Sequence, residues 1–340
     1  MALISYSADS CIRNAYYHNQ CSKCVTTCQE DVFSVVQNRI KFDSKLCTYC
    51  SACLGTCPTE AIQIEGLEPN KLALEFKFSK NDELNCENKT KCLSMFDAEH
   101  FAIMGLEREK LICDLSKCSD CEIGHLQDDI QERIHTANIL LNEIDKDKLI
   151  EIITVEKEDL NKNSLFGNMF EKVSEKINIP DSESYKIDRM LNRNGLKKML
   201  PTKHKILMEV LKDIEFESIS PFFVGSQNIS EQCTNCKDCI QFCPTEALFH
   251  STDMLSIYIN SAKCINCGIC QDICKVDAIS DVEKINLIDL VRPRKLISFS
   301  MSVCSECKTP YIQRGDETIC DRCSDFVNNF SSMLSLARDI

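Results

Sequence analysis

The chain has 340 residues, 25 cysteines and a formal net charge of −13. This length allows two or three domains, each with its own core. The acidic charge argues against nucleic acid, which is bound mainly by basic groups on phosphate, and favours a basic partner protein. The sequence has neither a signal-peptide pattern nor a run of about 18 apolar residues. We therefore expect a cytoplasmic protein without a transmembrane segment, whose reduced cysteines bind metals.

Two cysteine runs between residues 233 and 274 have the spacing of iron–sulfur ligands. Each run reads Cys-x2-Cys-x2-Cys-x3-Cys, and Pro244 follows the first. Three cysteines of a run can hold one [4Fe-4S] cluster while the fourth reaches the other cluster. This predicts one cluster at Cys233, Cys236, Cys239 and Cys274, and another at Cys264, Cys267, Cys270 and Cys243. Residues 229–282 resemble the bacterial two-[4Fe-4S] ferredoxins; zinc and disulfides are the alternatives that this spacing disfavours.

The first 70 residues repeat this pattern with one departure. The regular [4Fe-4S] ligands are Cys21, Cys24, Cys28, Cys47, Cys50, Cys53 and Cys57. The spacing would put the remaining ligand at His18, whereas Cys11 stands alone upstream. We predict that Cys11 is the ligand and that residues 12–20 loop back. The alternatives are His18, which would raise the reduction potential, and a cluster that has three ligands or is degraded.

A six-residue pattern begins at the last cysteine of each run. It reads CQEDVF at 28, CPTEAI at 57, CPTEAL at 243 and CKVDAI at 274. We predict that the acidic residue opens a short helical turn and that the two apolar residues pack over the cluster. Residues 32–42 and 248–259 are predicted to form hairpins between the runs.

Residues 71–155 alternate between strand and helix patterns. We predict strands at 72–78, 110–113 and 149–155, a helix at 97–107, and a longer helix from about residue 126. Such a βαβαβ order implies a parallel sheet.

The cysteines of this central unit follow a second pattern. Cys92 precedes a helix, and Cys118-x2-Cys121 with Gly124 precedes the long one. Together with Leu111-Ile112, these residues resemble the delta subunit of methyl-viologen-reducing hydrogenases. The resemblance implies a [2Fe-2S] cluster at Cys86, Cys92, Cys118 and Cys121. Zinc at the same four residues and thiols without metal are the alternatives, and Cys113 is interpreted as a small buried apolar residue.

Residues 156–228 contain no cysteine and are predicted to form a helical linker. The clearest helix is 203–214, with Pro201 and Thr202 at its start. Residues 186–212 hold eight Lys or Arg against two acidic residues. We interpret this basic stretch as a solvated face; the alternative is a clamp on an acidic partner or on the chain's own cluster modules.

The C-terminal part combines a predicted strand, 295–303, with two cysteine pairs. Cys304-x2-Cys307 and Cys320-x2-Cys323 are separated by twelve residues and resemble a zinc ribbon. We predict a structural zinc site; a rubredoxin-like iron site would use the same ligands. Residues 325–336 are predicted to be helical.

These motifs predict an α+β, multidomain chain. Its units are dicluster modules at 1–70 and 229–290, an α/β (βαβαβ) cysteine-containing domain at 71–155, a helical linker at 156–228, and a zinc ribbon with a helix at 291–340. Five redox centres, without a nucleotide loop or a nucleophile–base pair, indicate electron transfer rather than catalysis.

The order of the modules resembles the poly-ferredoxins found with bacterial formate dehydrogenases and related molybdenum or tungsten oxidoreductases. The resemblance implies that such an enzyme is the redox partner. One alternative is a maturation or assembly factor for an iron–sulfur or molybdenum enzyme. Another is a catalytic iron–sulfur subunit, for example of a disulfide reductase.

Overall fold

The computed structural model describes residues 3–16, 19–87, 92–155, 198–313 and 316–338, with side chains as far as 329. His18 and the first part of the basic stretch, 186–197, lie outside these ranges. The described chain mixes short strands with helices. Within these ranges, no helix combines the length and apolar character that a membrane span requires.

The N-terminal part is built from two antiparallel strand pairs. Its elements are β1 (Ile4–Tyr6), α1 (Ile12–Ala15), α2 (Lys23–Thr27), β2 (Phe33–Val36), β3 (Arg39–Phe42) and β4 (Ile62–Ile64). Strand β1 pairs with β4, and β2 pairs with β3, which confirms the predicted hairpin. Tyr6 packs against the rings of Phe33 and Phe42, with centroids 6.0 and 5.8 Å away. These rings close one side of the cysteine-bearing loops.

The central unit is a three-stranded parallel sheet with helices, as its sequence pattern predicts. Its elements are α3 (Pro69–Lys77), β5 (Glu83–Leu84), α4 (Ala98–Gly105), β6 (Lys110–Asp114), α5 (Gln127–Ile144) and β7 (Leu149–Ile153). The strand order is β5-β6-β7, and both pairings are parallel. Cys113 on β6 is fully buried, in agreement with its interpretation as an apolar residue.

The predicted strand at 72–78 is wrong, because these residues form most of helix α3. Alternating apolar residues suggested a strand, but Pro69 occupies the first turn, where its missing N–H costs nothing. Leu72 and Phe76, four residues apart, both pack against the core, while Phe78 is 78% exposed beyond the helix end. The first strand of the sheet is β5 instead.

Helix α4 lies at the centre of the protein. All eight of its residues are buried, and it packs against α3, α5 and a helix from the linker, α6 (Thr202–Leu211). Asp97 caps its start by accepting a hydrogen bond from the Ala98 N–H at 2.6 Å. Its apolar side chains join the N-terminal part, the central unit and α6 in one core.

The linker helix α6 buries one face, and the solvated interpretation is wrong for Lys203 on that face. It holds for the other described lysines of the basic stretch, which are exposed: Lys198, Lys205 and Lys212. Lys203 is 1% exposed, and its ammonium contacts the carboxylate of Asp97. The same ammonium donates to the Cys57 carbonyl at 3.1 Å. Glu60 accepts from the backbone N–H groups of Thr202 and Lys203, at 2.5 and 3.2 Å, and so caps the helix.

The next residue of α6 reaches the C-terminal part of the chain. His204 is fully buried, with Nδ1 at 2.7 Å from a Glu99 carboxylate oxygen and Nε2 at 3.1 Å from the Ala262 carbonyl oxygen. Just before the helix, the Met199 N–H donates to the Pro244 carbonyl at 3.0 Å. Residues 198–204 therefore clamp the chain's own modules together, which was the alternative interpretation.

The C-terminal module repeats the N-terminal arrangement. Its elements are β8 (Ser218–Ile219), β9 (Gln227–Ile229), α7 (Asp238–Gln241), β10 (Leu248–His250), β11 (Ser256–Ile259), α8 (Ile269–Asp272), β12 (Ile279–Asp281), β13 (Ile285–Asn286) and α9 (Leu287–Val291). Strands β9 and β12 pair, as β1 and β4 do, and β10 with β11 forms the predicted hairpin. The short strands β8 and β13 also pair.

The predicted strand at 295–303 is divided into two. Strand β14 (Arg294–Ser298) adds to β11 of the C-terminal module, whereas β15 (Ser300–Val303) pairs with β16 (Pro310–Gln313). The break falls at Phe299, whose N–H donates to the Leu255 carbonyl at 2.7 Å. Helix α10 (Asp321–Arg338) ends the described chain and confirms the predicted helix.

Candidate metal centres

The cysteine loops wrap around their sites by means of left-handed residues. In each Cys-x2-Cys-x2-Cys run, the residues on both sides of the middle cysteine have positive φ. These are Tyr49 and Ser51, Asn235 and Lys237, and Asn266 and Gly268. Most side chains are strained there, so the backbone adopts this shape only where the surrounding structure imposes it. The loop curls so that three thiols point inward.

The first N-terminal group consists of Cys11, Cys21, Cys24 and Cys57. Burial raises the pKa of Cys24 to about 12, and the other three thiols raise it further. Thiols packed this closely and deprived of water hold thiolate charge only when a metal compensates it. The structure thus brings Cys11 to the group that lacked a ligand; because His18 lies outside the described residues, the choice of ligand stays a prediction.

The second N-terminal group consists of Cys28, Cys47, Cys50 and Cys53. Burial raises the pKa of Cys53, and the other three thiols add to this rise. The fourth cysteine of each run is thus exchanged between the groups. Thr27 and Thr56, which precede the exchanged Cys28 and Cys57, are hydrogen-bonded through their hydroxyls at 3.1 Å. The two crossing segments therefore lie side by side.

The C-terminal module shows the same exchange. The first C-terminal group is Cys233, Cys236, Cys239 and Cys274, and the second is Cys264, Cys267, Cys270 and Cys243. Burial raises the pKa of Cys239 to about 12, and the other three members of its group raise it further. Burial also raises the pKa of Cys270, with contributions from its own group and from Cys239 of the other. The two groups are therefore neighbours.

The acidic residues of the six-residue patterns form left-handed turns, so the predicted helical turn is wrong. Their φ angles are 51° at Asp31, 52° at Glu60, 56° at Glu246 and 48° at Asp277. This reversal returns the next N–H to the cysteine that begins the pattern. Ala61 N–H donates to Cys57 Sγ at 3.3 Å, and Ala278 N–H donates to Cys274 Sγ at 3.2 Å. Such bonds to sulfur help to set the reduction potential of a cluster.

Tyr6 could not be predicted to lie at a metal site, because it has no characteristic sequence spacing from a cysteine run. Its buried hydroxyl lies beside the Cys11 thiol, but no acceptor within the described residues is well aligned with it. Burial raises the pKa of Tyr6 strongly, and the thiols of Cys11, Cys24 and Cys57 raise it further. A buried donor without a well-aligned acceptor is costly in a protein interior. Sulfur atoms of a cluster in the first N-terminal group would supply its acceptor, so these residues fit a [4Fe-4S] cluster.

The central group consists of Cys86, Cys92, Cys118 and Cys121. Burial raises the pKa of Cys118 to about 11, and the other three thiols raise it further. Cys92 Sγ accepts a hydrogen bond from the Ser94 N–H at 3.5 Å. The Gly124 backbone passes so close to the Cys118 carbonyl that a Cβ would lie 2.1 Å from its oxygen. Glycine is therefore required where the chain leaves this group.

The ribbon group, Cys304, Cys307, Cys320 and Cys323, is the most compact. All four sulfurs lie within 4.8 Å of one another, and the sulfurs of Cys307 and Cys320 are 3.7 Å apart. Tetrahedral ligands at a Zn–S distance of about 2.3 Å are about 3.8 Å apart. The Cys320 N–H donates to Cys304 Sγ at 3.3 Å. These four residues could hold a single metal ion.

Comparison with known proteins defines the class of these sites. Residues 227–275 match the family described as "4Fe-4S dicluster domain", and residues 40–63 match the one described as "4Fe-4S binding domain". The chain therefore contains two ferredoxin-type iron–sulfur regions of the kind used in electron transport. These matches cover less than half of its length.

The individual relatives are ferredoxins. The chain is 38% identical over 53 residues to Ferredoxin-1 of Caulobacter vibrioides, which is 15% of this chain and 45% of the relative. It is 40% identical over 53 residues to a ferredoxin of Mycolicibacterium smegmatis, covering 15% of this chain and 48% of the relative. It is 36% identical over 69 residues to a ferredoxin of Rickettsia felis, or 20% of this chain and 61% of the relative. The chain thus spans only about half the length of these relatives.

Proposed function

We propose that this chain is an iron–sulfur electron carrier that holds four [4Fe-4S] clusters in its two dicluster modules. The observation that carries the proposal is the exchange of Cys57 and Cys28 between groups, repeated by Cys243 and Cys274. This arrangement joins two thiol groups through shared segments, and it is the ligand pattern of two-cluster ferredoxins. When bound, each cluster takes up and releases one electron; the protein positions the thiols, excludes water and donates hydrogen bonds to sulfur.

The central group is proposed to bind a [2Fe-2S] cluster, as its resemblance to the hydrogenase delta subunit implies. A single zinc ion would require sulfurs about 3.8 Å apart. Within the described residues, such compact grouping occurs at the ribbon group, and the central thiols are more widely spaced. The wider spacing disfavours a single zinc ion in the central group, where the choice of a [2Fe-2S] cluster rests on the resemblance, and the compact spacing favours a single structural zinc in the ribbon group.

The domain division follows from these sites. We assign dicluster modules to 1–70 and 229–290, the central α/β domain to 71–155, the linker to 156–228, and the ribbon with its helix to 291–340. For a partner, we propose a protein with a basic docking surface, such as a formate dehydrogenase or another molybdenum or tungsten oxidoreductase in the cytoplasm. The net charge of −13 supports electrostatic attraction to such a surface.

Metal analysis of anaerobically purified protein tests this proposal. Four cubane clusters contain about 16 iron atoms and one [2Fe-2S] cluster about two, so we expect about 18 iron and about 18 acid-labile sulfides. The ribbon adds about one zinc. These sites use twenty-four of the 25 cysteines, which leaves Cys113 as the single free thiol. About 16 iron with two zinc would convert the central group to a zinc site, and about eight iron would mean that one module is empty.

Reductive titration separates electron transfer from the assembly alternative. A carrier of electrons should bleach quickly and reversibly without losing iron. An assembly factor should instead release clusters to an apo-acceptor protein, which requires labile ligation. Transfer of clusters at a rate comparable with reduction would overturn the proposed function.

A further inference from the structure

The thiol groups follow one another in space in an order that differs from the sequence. In the sequence, the central group lies between the two dicluster modules. In the structure, it lies beside the second N-terminal group. The Ser94 N–H donates to Cys92 Sγ at 3.5 Å, and the Ser94 hydroxyl donates to the Cys50 carbonyl at 3.4 Å, so one serine joins the two groups. The central group therefore adjoins one side of the N-terminal module.

The first N-terminal group faces the C-terminal module. Cys21 of this group and Cys267 of the second C-terminal group line the same cleft, which has a volume of about 740 Å³. Asn19 donates to the Asp272 carboxylate at 2.9 Å across this boundary. Lys203 and His204 bridge it internally, from the Cys57 carbonyl to the Ala262 carbonyl.

The series ends at the first C-terminal group. This group adjoins the second C-terminal group, because Cys239 packs in the same cluster of side chains as Cys264 and Cys270. Of all the cysteines, which lie entirely within the described residues, Cys121 and Cys236 are the exposed ones. They belong to the central group and the first C-terminal group, which are the two ends of the series. The inner groups contain no exposed cysteine.

Resting on the proposed electron-transfer function, we propose that the five groups form one unbranched series and that partner proteins exchange electrons at its two ends. The series runs from the central group through the second and first N-terminal groups to the second and first C-terminal groups. One partner docks at the surface around Cys121, and another docks around Cys236. Because electron transfer falls off steeply with distance, the two groups with an exposed cysteine are the docking sites, whereas the cysteines of the inner groups are buried or half-buried.

The two ends differ in chemistry, so they fit different partners. Asp120 and Glu122 flank Cys121 and are exposed, while the nearby Lys117 is paired with Glu87. This end fits a protein that presents lysine or arginine side chains. At the other end, Lys237 follows Cys236, and its ammonium lies 3.9 Å from Met254 Sδ. Met254 is 41% exposed and Lys237 is exposed, so this end fits a protein that presents carboxylates beside apolar side chains.

The charge at the Cys121 end can be tested with a cationic electron donor, the methyl viologen radical. We would compare the holoprotein with the double variant Asp120→Lys/Glu122→Lys by stopped-flow absorbance at low salt. The matched control is Asp213→Lys/Glu215→Lys, which reverses two exposed acids at the same spacing, away from any cysteine in the chain. The first variant should be reduced about tenfold more slowly, and the control less than twofold. The difference should close at high salt.

The order of the groups has a separate readout that does not depend on turnover. A soluble dysprosium chelate should broaden the electron paramagnetic resonance signals of the reduced central and first C-terminal groups, identified with Cys118→Ser and Cys236→Ser. The second N-terminal group, whose cysteines do not line the cleft beside Cys21, should keep its relaxation rate. Equal slowing by both charge variants, or broadening of every signal, would overturn the terminal sites. An iron-loaded parent protein that accepts no electron from the radical would instead overturn the proposed function.

Discussion

Lys203 offers the sharpest test of how the modules are held together. Its side chain is 2% exposed and contacts Asp97 and Glu99, whose side chains are 23% and 6% exposed. Burial alone would lower the pKa of Lys203, but the two carboxylates outweigh it and raise the pKa. Burial likewise would raise the pKa of Asp97, and Lys203 lowers it instead. Both residues are therefore charged and depend on each other.

The substitution Lys203→Met keeps most of the side-chain volume and removes the charge. It leaves two carboxylates without their cation, and breaking a buried pair in this way costs about 3–5 kcal/mol. Because Asp97 is partly exposed and keeps its role as a helix cap, we expect a value near the lower end, about 3 kcal/mol. Adding Asp97→Asn preserves a cap acceptor and removes one unpaired charge, so it should recover about half of the loss.

Iron–sulfur proteins seldom unfold reversibly, so the assay is a rate. We would follow the anaerobic loss of visible cluster absorbance at fixed guanidinium concentration. A loss of about 3 kcal/mol corresponds to a decay about 100-fold faster if the pair is absent from the unfolding transition state. The control is Lys212→Met, because Lys212 pairs with Glu209 near the end of the same helix but both side chains are exposed. Its decay should change less than threefold.

A decay rate of Lys203→Met within threefold of the parent, with no recovery in the double variant, would refute this reasoning. It would mean that water replaces the ammonium without cost and that the clamp does not hold the modules. A faster decay of Lys212→Met to the same extent would point to a general effect of lysine removal.

Three further predictions concern single positions. Cys11→Ser should lose about four iron atoms, whereas His18→Ala should keep its iron; metal analysis showing the reverse would move the ligand to His18. Cys304→Ser should lose the single zinc while the iron content stays constant, and unchanged zinc would show that the metal lies elsewhere. Burial, aided by Lys203, lowers the pKa of His100 to about 4, so the folded protein keeps it neutral. Because the unfolded chain binds this proton below about pH 6.5, stability should fall by about 1 kcal/mol between pH 7.5 and 5.5. His100→Asn should weaken this pH dependence, as measured by guanidinium-induced decay rates at both pH values.

The cysteine chemistry could be predicted because ligand spacing is a local property of the sequence. The runs at 233 and 264 indicated both groups and the exchange of their fourth members. Parallel pairing in the central unit also followed from the alternation of patterns, although residues 72–78, most of which are helical, were predicted to form a strand. Short apolar alternation fits both a strand and a helix, and Pro69 was the signal that favours the helix.

The contacts between modules could not be predicted, because they join residues far apart in the chain. Lys203 looks like any lysine in a basic stretch, and its partners Asp97 and Glu99 precede it by about a hundred residues. Tyr6 is equally unremarkable until the fold brings it to Cys11. Charge, polarity and spacing describe single segments, whereas burial depends on which segments meet.

The complete burial of helix α4 limits which domains of such a protein can be deleted. From the sequence alone, each module could be expected to fold separately and to tolerate removal or reordering. In the folded protein, every side of α4 is packed against neighbouring elements. One of them is α6, which follows residue 198 in the chain. Deleting residues 71–155 would leave the apolar side of α6 and the ammonium of Lys203 facing water. We therefore expect the ribbon, which begins at β15, to be the part that can be shortened separately, while the rest of the chain is inherited as one piece.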